Sequence, residues 1–279
     1  MKILLIQENG RHEKNRNFRE CFALQRGFIK HNVKCDIWGL GHENFNSEIN
    51  FDNYNLIINL ENYGNGWEPN LSNAIGKKFL WSIDAHFRGE TPFLMEFQRG
   101  KYDVLLHSTK DYVNENFKVW FPNAFDDELI YKTEIEKKYD IGFCGSLLNR
   151  QSYITKLKSK YNFYHDNFVI GNDMVIAINS YKIHWNRNLS NDINYRNFET
   201  IGCGVPLITN YNYQYELLGF EHYKNVMLYK DENEMFQLID ELLKNENLRN
   251  SIGEQGHLLS KKHTYSERCN QILELYSQI

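Results

Sequence analysis

Short apolar segments with a β-rich composition recur through the first half of the chain, and stretches of polar or helical character separate them. They occupy residues 2–7, 33–38, 55–60, 78–83 and 102–107. Such alternation is typical of parallel strands joined by helical crossovers. Between the first two segments, Phe18, Phe22 and Ile29 recur at helical spacing, which predicts the first crossover helix at residues 17–31.

The second half repeats this alternation. A strand is predicted at residues 139–144, followed by a helix over about 149–158. Asn and Asp at its start and Gly202 at its end predict a further helix over residues 191–202. From residue 231 onward the pattern is helical, with breaks near Asn247 and His263. The remaining predicted strands lie at residues 182–185, 205–209 and 225–229.

This pattern predicts an α/β protein built from two Rossmann-like, doubly wound domains that face each other across a cleft. With 279 residues, the chain is long enough for two cores. We place the domains at residues 1–134 and 135–279, and expect the last helix to pack back on the N-terminal domain.

Composition narrows the class of protein. No apolar run approaches the roughly 20 residues that span a bilayer, and the apolar start is too short for a signal peptide. The five cysteines include no C-x-x-C pair, so neither a thiolate metal site nor a disulfide framework is predicted. We expect a cytoplasmic protein with no membrane span, no metal site and no cofactor.

The formal net charge is −4, but the segment from residue 9 to residue 31 is basic. It carries six Lys and Arg side chains against two Glu side chains. A loop at the end of the first strand opens this segment and lies where parallel sheets bind ligands. The surface predicted to bind an acceptor phosphate consists of Gly10, Arg11, His12, Arg16 and Arg19. The alternative is a solvated helix face.

Two loops of the second half are candidates for binding a nucleotide. Gly145 and Ser146 follow a predicted strand, where backbone amides can approach a phosphate. The alternative for Gly145 is a tight turn. Arg196 and Glu199 lie three residues apart on a predicted helix, so one ligand could meet a cation for a diphosphate and a carboxylate for ribose hydroxyls. The alternative here is a surface ion pair.

The same stretch, Asn-Tyr-Arg-Asn-Phe-Glu-Thr-Ile-Gly-Cys-Gly-Val-Pro-Leu-Ile-Thr over residues 194–209, resembles the donor-site signature of group 1 glycosyltransferases. The resemblance is strongest to their spore-maturation-protein-like branch. Residues 139–146 and 263–268 resemble the first strand and the closing helix of that family's second domain. Residues 81–86 and 120–124 resemble parts of its first domain, so most of the chain from residue 78 is covered.

This resemblance implies a GT-B fold, a nucleotide sugar held by the second domain and no obligatory metal. By position, Glu199 matches the carboxylate that holds the ribose, Gly145 matches the donor-loop glycine, and Arg196 the diphosphate contact. Asn194 precedes them and is included among the donor-binding residues. Asn191 stands where many members of the family have a second glutamate that contacts the sugar, which leaves the sugar and the stereochemical course open.

Asp84 and His86 follow the predicted strand at residues 78–83 and are the candidate catalytic residues. Asp84 suits a general base for an inverting reaction, and His86 suits the steering of the sugar or leaving group in a retaining one. The alternative for Asp84 is a capping role in the next turn. His184, between Ile183 and Trp185, is interpreted as a packed strand residue.

Three functions remain open. The first is hexose transfer from a nucleotide sugar, UDP-glucose by default, to a hydroxymethylated pyrimidine in DNA, as in the phage-type transferases that the chain resembles. The basic segment supports DNA as a partner. The second is transfer to a surface glycan, a lipid-linked sugar or a protein. The third is a sugar-nucleotide-binding protein without turnover.

Overall fold

A computed structural model describes residues 1–63 and 66–279. The chain forms two compact units, one of Met1–Asn123 with Tyr265–Ile279, the other of Ala124–Thr264. The domain boundary expected after residue 134 thus falls within the second unit, and the last helix belongs to the first unit.

The first unit contains a six-stranded parallel sheet in the order β2-β1-β3-β4-β5-β6. Its strands are β1 (Lys2–Ile6), β2 (Lys34–Trp38), β3 (Leu56–Leu60), β4 (Lys77–Ser82), β5 (Val104–His107) and β6 (Lys118–Trp120). Its helices are α1 (Glu20–Lys30), α2 (Ala85–Arg88), α3 (Thr91–Gly100) and, from the end of the chain, α10 (Tyr265–Gln278). Short 3-10 helices lie at Glu13–Phe18, Phe51–Asn53 and Lys110–Tyr112.

The second unit contains a five-stranded parallel sheet in the order β11-β10-β9-β7-β8. Its strands are β7 (Tyr139–Cys144), β8 (Phe163–Asp166), β9 (Tyr181–Trp185), β10 (Leu207–Asn210) and β11 (Met227–Tyr229). Its helices are α4 (Gln151–Lys160), α5 (Asn172–Asn179), α6 (Tyr195–Gly202), α7 (Gln214–Leu217), α8 (Glu232–Lys244) and α9 (Glu246–Ser260).

The buried apolar cluster of each unit explains why the strands were recognisable in the sequence as continuous apolar segments. Leu4, Ile57 and Leu105 from three strands of the first sheet are fully or almost fully buried in one cluster. Ile141 and Ile183 belong to the equivalent cluster of the second unit. Parallel strands are covered on both faces, so they need apolar residues at successive positions rather than at alternate ones.

Two predicted helices are wrong at their starts. The helix expected at residues 17–31 is a 3-10 helix followed by α1, because Arg19 adopts an extended conformation with ψ of 152° between them. The helix expected over 191–202 begins at Tyr195. Asn194 ends the preceding loop there, since its side chain accepts a hydrogen bond from the Arg196 amide at 3.1 Å.

Buried polar contacts hold α10 in the first unit. Arg268 is almost fully buried, and its guanidinium donates to the carbonyl oxygens of Pro122 at 2.7 Å and Asn123 at 3.1 Å. Burial lowers the pKa of Arg268 to about 10, so it remains charged at neutral pH. Cys269 Sγ also donates to the Leu24 carbonyl at 3.3 Å.

None of the helices in the described part of the chain combines the length and the apolarity that a membrane crossing requires.

Candidate functional site

The loop after β7 has a backbone that requires glycine. Gly145 has φ of +152°, and an added Cβ would lie 3.0 Å from the Phe143 ring. Its carbonyl oxygen lies 2.9 Å from a ring nitrogen of His165, and its amide donates to the Asp166 carbonyl at 3.3 Å. The loop is thereby attached to the end of β8. The following helix α4 begins at Gln151, later than the predicted residue 149.

Arg150, which the sequence reasoning did not select, joins this loop to the one after β9. Its Nε and Nη2 atoms donate to the Arg187 carbonyl at 2.9 and 2.6 Å, and Nη1 donates to the Ser146 carbonyl at 3.1 Å. The side chain is buried. Burial lowers its pKa to about 10, which still leaves it charged at neutral pH.

Two further cations lie near Arg150. Burial is the largest cause of the lowered Arg150 pKa. The attraction of Asp192 opposes this decrease, whereas the charges of Arg187 and Arg196 add to it. Arg187 is half-buried, donates to the Tyr153 hydroxyl at 2.9 Å and lies over that ring at 4.5 Å. The carboxyl edge of this sheet therefore carries three arginines, two of which lie within electrostatic range of Arg150.

A buried amide network fixes the loop after β9. Asn194 and Asn197 both donate to Asn188 Oδ1 at 2.9 Å, and Asn188 donates to the Tyr215 hydroxyl at 2.8 Å. Tyr215 in turn donates to Asn197 Oδ1 at 2.8 Å. Such networks rigidify a core when their members are satisfied. Since Asn194 also caps α6, the network sets where that helix begins.

Asn191 lies in this loop rather than on a helix, and it is exposed. Its carbonyl oxygen accepts a hydrogen bond from the Gln214 side chain. Next to it, Asp192 is buried and accepts from the Ser190 hydroxyl at 3.2 Å. Asn191 is thus held by its backbone, with its side chain at the surface of the loop.

Arg196 and Glu199 form an ion pair in which Nη1 and Oε2 are 2.6 Å apart. Their side chains are 18% and 13% exposed, so this is a largely buried pair rather than the surface pair considered from the sequence. Burial acts to lower the pKa of Arg196, but the Glu199 carboxylate, together with the nearby Cys144, Tyr181 and Tyr195, raises it overall. The geometry brings a cation and a carboxylate to the first turns of α6.

His184 is fully buried on β9, with Nδ1 against the Thr200 hydroxyl. Burial, assisted by the nearby Arg196, lowers its pKa well below the usual value. This histidine is therefore neutral and packed, as the sequence interpretation had it.

In the first unit, Asp84 and His86 lie at the carboxyl end of β4, around the start of α2. The Asp84 amide donates to Glu61 Oε2 at 2.6 Å. Within the described residues, the Asp84 side chain forms no capping hydrogen bond with α2, so the alternative capping role is not what the geometry gives. His86 is half-buried.

Glu61, at the end of β3, is a neighbour of Asp84 that the sequence reasoning missed. Its carboxylate accepts from the amides of Ile83 and Asp84 at 2.7 and 2.6 Å and lies 2.8 Å from Arg88 Nη1. Burial raises its pKa, and the Asp84 charge raises it further, against the hydrogen bonds that lower it. Two carboxylates therefore meet at this edge.

The predicted acceptor-binding residues divide by exposure. Gly10 is buried, and its carbonyl accepts from Arg16 Nε at 3.1 Å. Arg11, His12 and Arg16 are exposed. Arg19 differs, because its side chain is only 11% exposed, lies 3.4 Å from Glu20 and is held over the Tyr63 ring. The exposed positive surface is thus smaller than the sequence suggested.

Among residues 1–63 and 66–279, the His, Cys, Asp and Glu side chains form no group of three or more that could hold a metal ion.

The sequence profile of a family described as glycosyl transferase-like matches residues 129–274, just over half of the chain. The chain belongs to this family. The matched region includes the loop at Gly145, the arginine that follows it and the whole of α6. Among curated protein sequences, none matches this chain.

Solved structures of glycosyltransferases resemble the whole chain. An alpha-glucosyltransferase in complex with UDP and a 13-mer DNA has a TM-score of 0.69 at 12% identity, covering 99% of this chain and 100% of that one. T4 phage BGT in complex with UDP and Mn²⁺ has a TM-score of 0.67 at 14% identity, covering 99% of each chain.

Anabaena Alr3699/HepE in complex with UDP-glucose also has a TM-score of 0.67, at 12% identity and with 100% of each chain covered. Likeness at these identities shows the fold alone, and the fold is GT-B. Family and fold together make this chain a glycosyltransferase.

Proposed function

We propose that this enzyme transfers a hexose from a nucleotide sugar, UDP-glucose by default, to a hydroxyl of a hydroxymethylated pyrimidine in DNA. One observation carries the donor half of the proposal. The carboxyl edge of the second sheet combines a glycine loop with three arginines and a carboxylate. Mutual repulsion of the arginines would be relieved by a diphosphate.

Each donor-binding residue is assigned to one chemical group of the nucleotide sugar. Gly145 and Ser146 would approach the phosphates through their backbone, and Arg196 would contact the diphosphate. Glu199 would accept hydrogen bonds from the ribose hydroxyls, since a carboxylate offers two acceptor oxygens. Asn191 would contact the transferred sugar, and Asn194, whose side chain caps α6, would hold the donor-binding helix in place.

The chemistry that follows is a substitution at the anomeric carbon. The bond from that carbon to the diphosphate oxygen breaks, and a bond to the acceptor oxygen forms. Asp84 would take the acceptor proton if the configuration inverts, and His86 would steer the sugar or leaving group if it is retained. The arginines would stabilise the charge that develops on the departing diphosphate.

Two lines support DNA as the acceptor. One of the structurally similar enzymes was solved with UDP and DNA, and another is a T4 phage glucosyltransferase. Arg11, His12 and Arg16 are exposed at the end of the first strand, where they could contact phosphates. A cytoplasmic location would give the enzyme access to such a substrate.

A glycan acceptor is the second candidate. It is favoured by the similarity to the sucrose-phosphate synthase of Thermosynechococcus elongatus, which has a TM-score of 0.63 at 10% identity. The third candidate, nucleotide-sugar binding without turnover, rests on Asn191 in place of a glutamate. Turnover of any acceptor, or hydrolysis of the donor, would exclude it.

The deciding experiment incubates the protein with labelled UDP-glucose and matched duplexes. One duplex carries 5-hydroxymethylcytosine, one 5-hydroxymethyluracil and one unmodified pyrimidines, and a glycan panel runs in parallel. Label in the hydroxymethylated duplexes alone is the expected result. Label in glycans with none in DNA would reject the DNA acceptor while keeping the transferase.

We also propose that the reaction needs no obligatory metal. The T4 enzyme was solved with Mn²⁺, so the point needs a direct measurement. Turnover after exhaustive EDTA treatment should equal turnover of untreated enzyme. A loss that Mn²⁺ or Mg²⁺ restores would contradict this proposal and leave the donor assignment intact.

A further inference from the structure

The second unit contains a pocket of about 810 Å³ at the amino edge of its sheet. Lys132 and Lys137 line it from the segment before β7, and Gly204 lines it from the turn before β10. In a parallel sheet, the amino ends of the strands lie at the edge opposite their carboxyl ends. The pocket is therefore separate from the loop at Gly145, and its volume is within the range of small-molecule sites.

Cations dominate the pocket wall. Lys137 Nζ donates to the Asn179 carbonyl at 2.7 Å, and Arg249 Nη1 donates to the Leu242 carbonyl at 2.9 Å. These bonds hold both cations against the C-terminal ends of helices. Burial lowers the pKa of Lys137, Cys203 and the Glu134 carboxylate oppose this decrease, and the charges of Lys132 and Arg249 add to it by smaller amounts. Lys132 and Arg249 therefore both lie within electrostatic range of Lys137.

The lining contains three carboxylates, Glu134, Glu246 and Glu254, and all three residues are exposed to solvent. Glu134 is 93% exposed and lies 3.9 Å from Lys132, while Glu246 is 75% exposed and lies 3.7 Å from Arg249. Ion pairs between solvated side chains contribute little. Of the two other lysines of the lining, Lys182 is paired with Asp140 at 2.8 Å, and Lys244 is exposed. The lining therefore contains five cations and three carboxylates, which gives this pocket an excess of positive charge.

Two glycines of the lining, Gly204 and Gly253, allow close packing of the backbone beside the pocket. Gly204 has φ of +66°, and a Cβ there would lie 2.9 Å from the Lys132 side chain. A Cβ on Gly253 would lie 2.7 Å from the Gly204 carbonyl oxygen, so α9 approaches this turn at backbone distance. Larger side chains at either position would disturb the wall that presents the cations.

We propose that this pocket binds a small phosphorylated molecule, with its phosphoryl group against Lys132, Lys137 and Arg249. A phosphate monoester carries about −1.5 to −2 charges at pH 7 and has three acceptor oxygens, which suits three cations better than a carboxylate does. Thr133 and Asn250, also in the lining, offer polar groups for the remainder of the molecule. This site does not depend on the proposed donor or acceptor.

Calorimetric titration of the full chain with glucose 6-phosphate, with glucose as the uncharged control, tests the site. The variants are Lys132→Glu, which is exposed and should leave the fold intact, and Lys137→Gln. Lys138→Glu, a neighbouring exposed lysine outside the lining, is the matched control. Loss of a charged hydrogen bond is expected to weaken binding by roughly tenfold or more in both pocket variants and to leave the control unchanged.

Thermal unfolding of each variant checks that the unit is intact, and Lys132→Glu keeps the test valid if Lys137→Gln does not fold. Absence of glucose 6-phosphate binding to the wild-type chain would overturn the proposal. Equal binding by wild type and both pocket variants would do the same. Binding that Glu199→Gln abolishes while the pocket variants retain it would assign the phosphate to the opposite edge of the sheet.

Discussion

The carboxyl edges of the two sheets are built differently. In the second unit, Asn188, Asn194 and Tyr215 form a buried network behind the loop, and Arg150 ties two loops together through three backbone carbonyl bonds. In the first unit, the corresponding edge presents Asp84 beside the buried Glu61 carboxylate, and exposed basic side chains on the neighbouring loop.

This difference fits a division of labour between the units. A preorganised polar edge is what binding of a constant ligand, such as a nucleotide, requires. An edge with a buried carboxylate of raised pKa, Glu61, and solvated cations suits proton transfer and a variable acceptor. The comparison predicts that substitutions in the first unit change turnover, whereas substitutions in the second change nucleotide affinity and stability.

The largest expected effect is on turnover. Asp84→Asn should reduce kcat by about 10²–10⁴-fold with UDP affinity unchanged, because a general base is lost and the side-chain shape is kept. His86→Gln is the comparison variant. The anomeric configuration of the product, determined by NMR, shows whether the reaction inverts, as the role of Asp84 requires, or retains, as the role of His86 requires. If Asp84→Asn retains wild-type kcat, the assignment of the base is wrong.

Removal of the donor carboxylate comes next. Glu199→Gln should weaken UDP binding by roughly 30–100-fold, the cost of a charged hydrogen-bond acceptor to ribose. Calorimetric titration with UDP measures it, and Glu246→Gln, at an exposed position of the same unit, is the control. Unchanged UDP affinity in Glu199→Gln would place the nucleotide elsewhere.

The amide network should govern stability more than affinity. Asn197 is fully buried, and its side chain bonds to Asn188, Asn186 and Tyr215. Asn197→Ala should lower the free energy of unfolding by about 1–3 kcal/mol, because polar partners are left buried without hydrogen bonds. Denaturant unfolding checks this value, with the exposed Asn191→Ala as control. Equal stability of the two variants would mean that the network adds no rigidity.

Features that depend on residues close together in the sequence were predicted, whereas features that depend on distant residues were not. The strand at 139–144 was located to the residue because its last four residues, Ile-Gly-Phe-Cys, form a continuous buried run without charged side chains, as expected for a strand covered on both faces. Strand β8 was missed because its sequence, Phe-Tyr-His-Asp, mixes aromatic and polar residues and is partly exposed at the sheet edge. Helix α5, of mixed pattern, was missed as well.

The candidate site was predictable where one helix or one loop contains it. The Arg196–Glu199 spacing indicated a pair on one helix face, and the pair is present at 2.6 Å. Glu61 and Arg150 were missed because their partners come from distant strands, 22 or 23 residues away for the Glu61 amide bonds and 37 for Arg187. Local patterns carry no signal for such tertiary hydrogen bonds.

The smallest expected effect concerns the exposed cations of the first unit. Arg11→Gln and Arg16→Gln should each raise the KM for a DNA acceptor only a few-fold, since a single solvated phosphate contact contributes little. Their sharper signature is salt dependence. Each lost contact should reduce the slope of log affinity against log salt by about 0.9, while UDP binding stays unchanged. Lys261→Glu, exposed in the second unit, is the control.

Because Arg19 is mostly buried against Glu20, Arg19→Gln should instead lower stability without changing that slope. If Arg19→Gln changes the slope as much as Arg11→Gln does, then Arg19 contacts DNA despite its burial, and the contrast drawn between the two sheet edges is weaker.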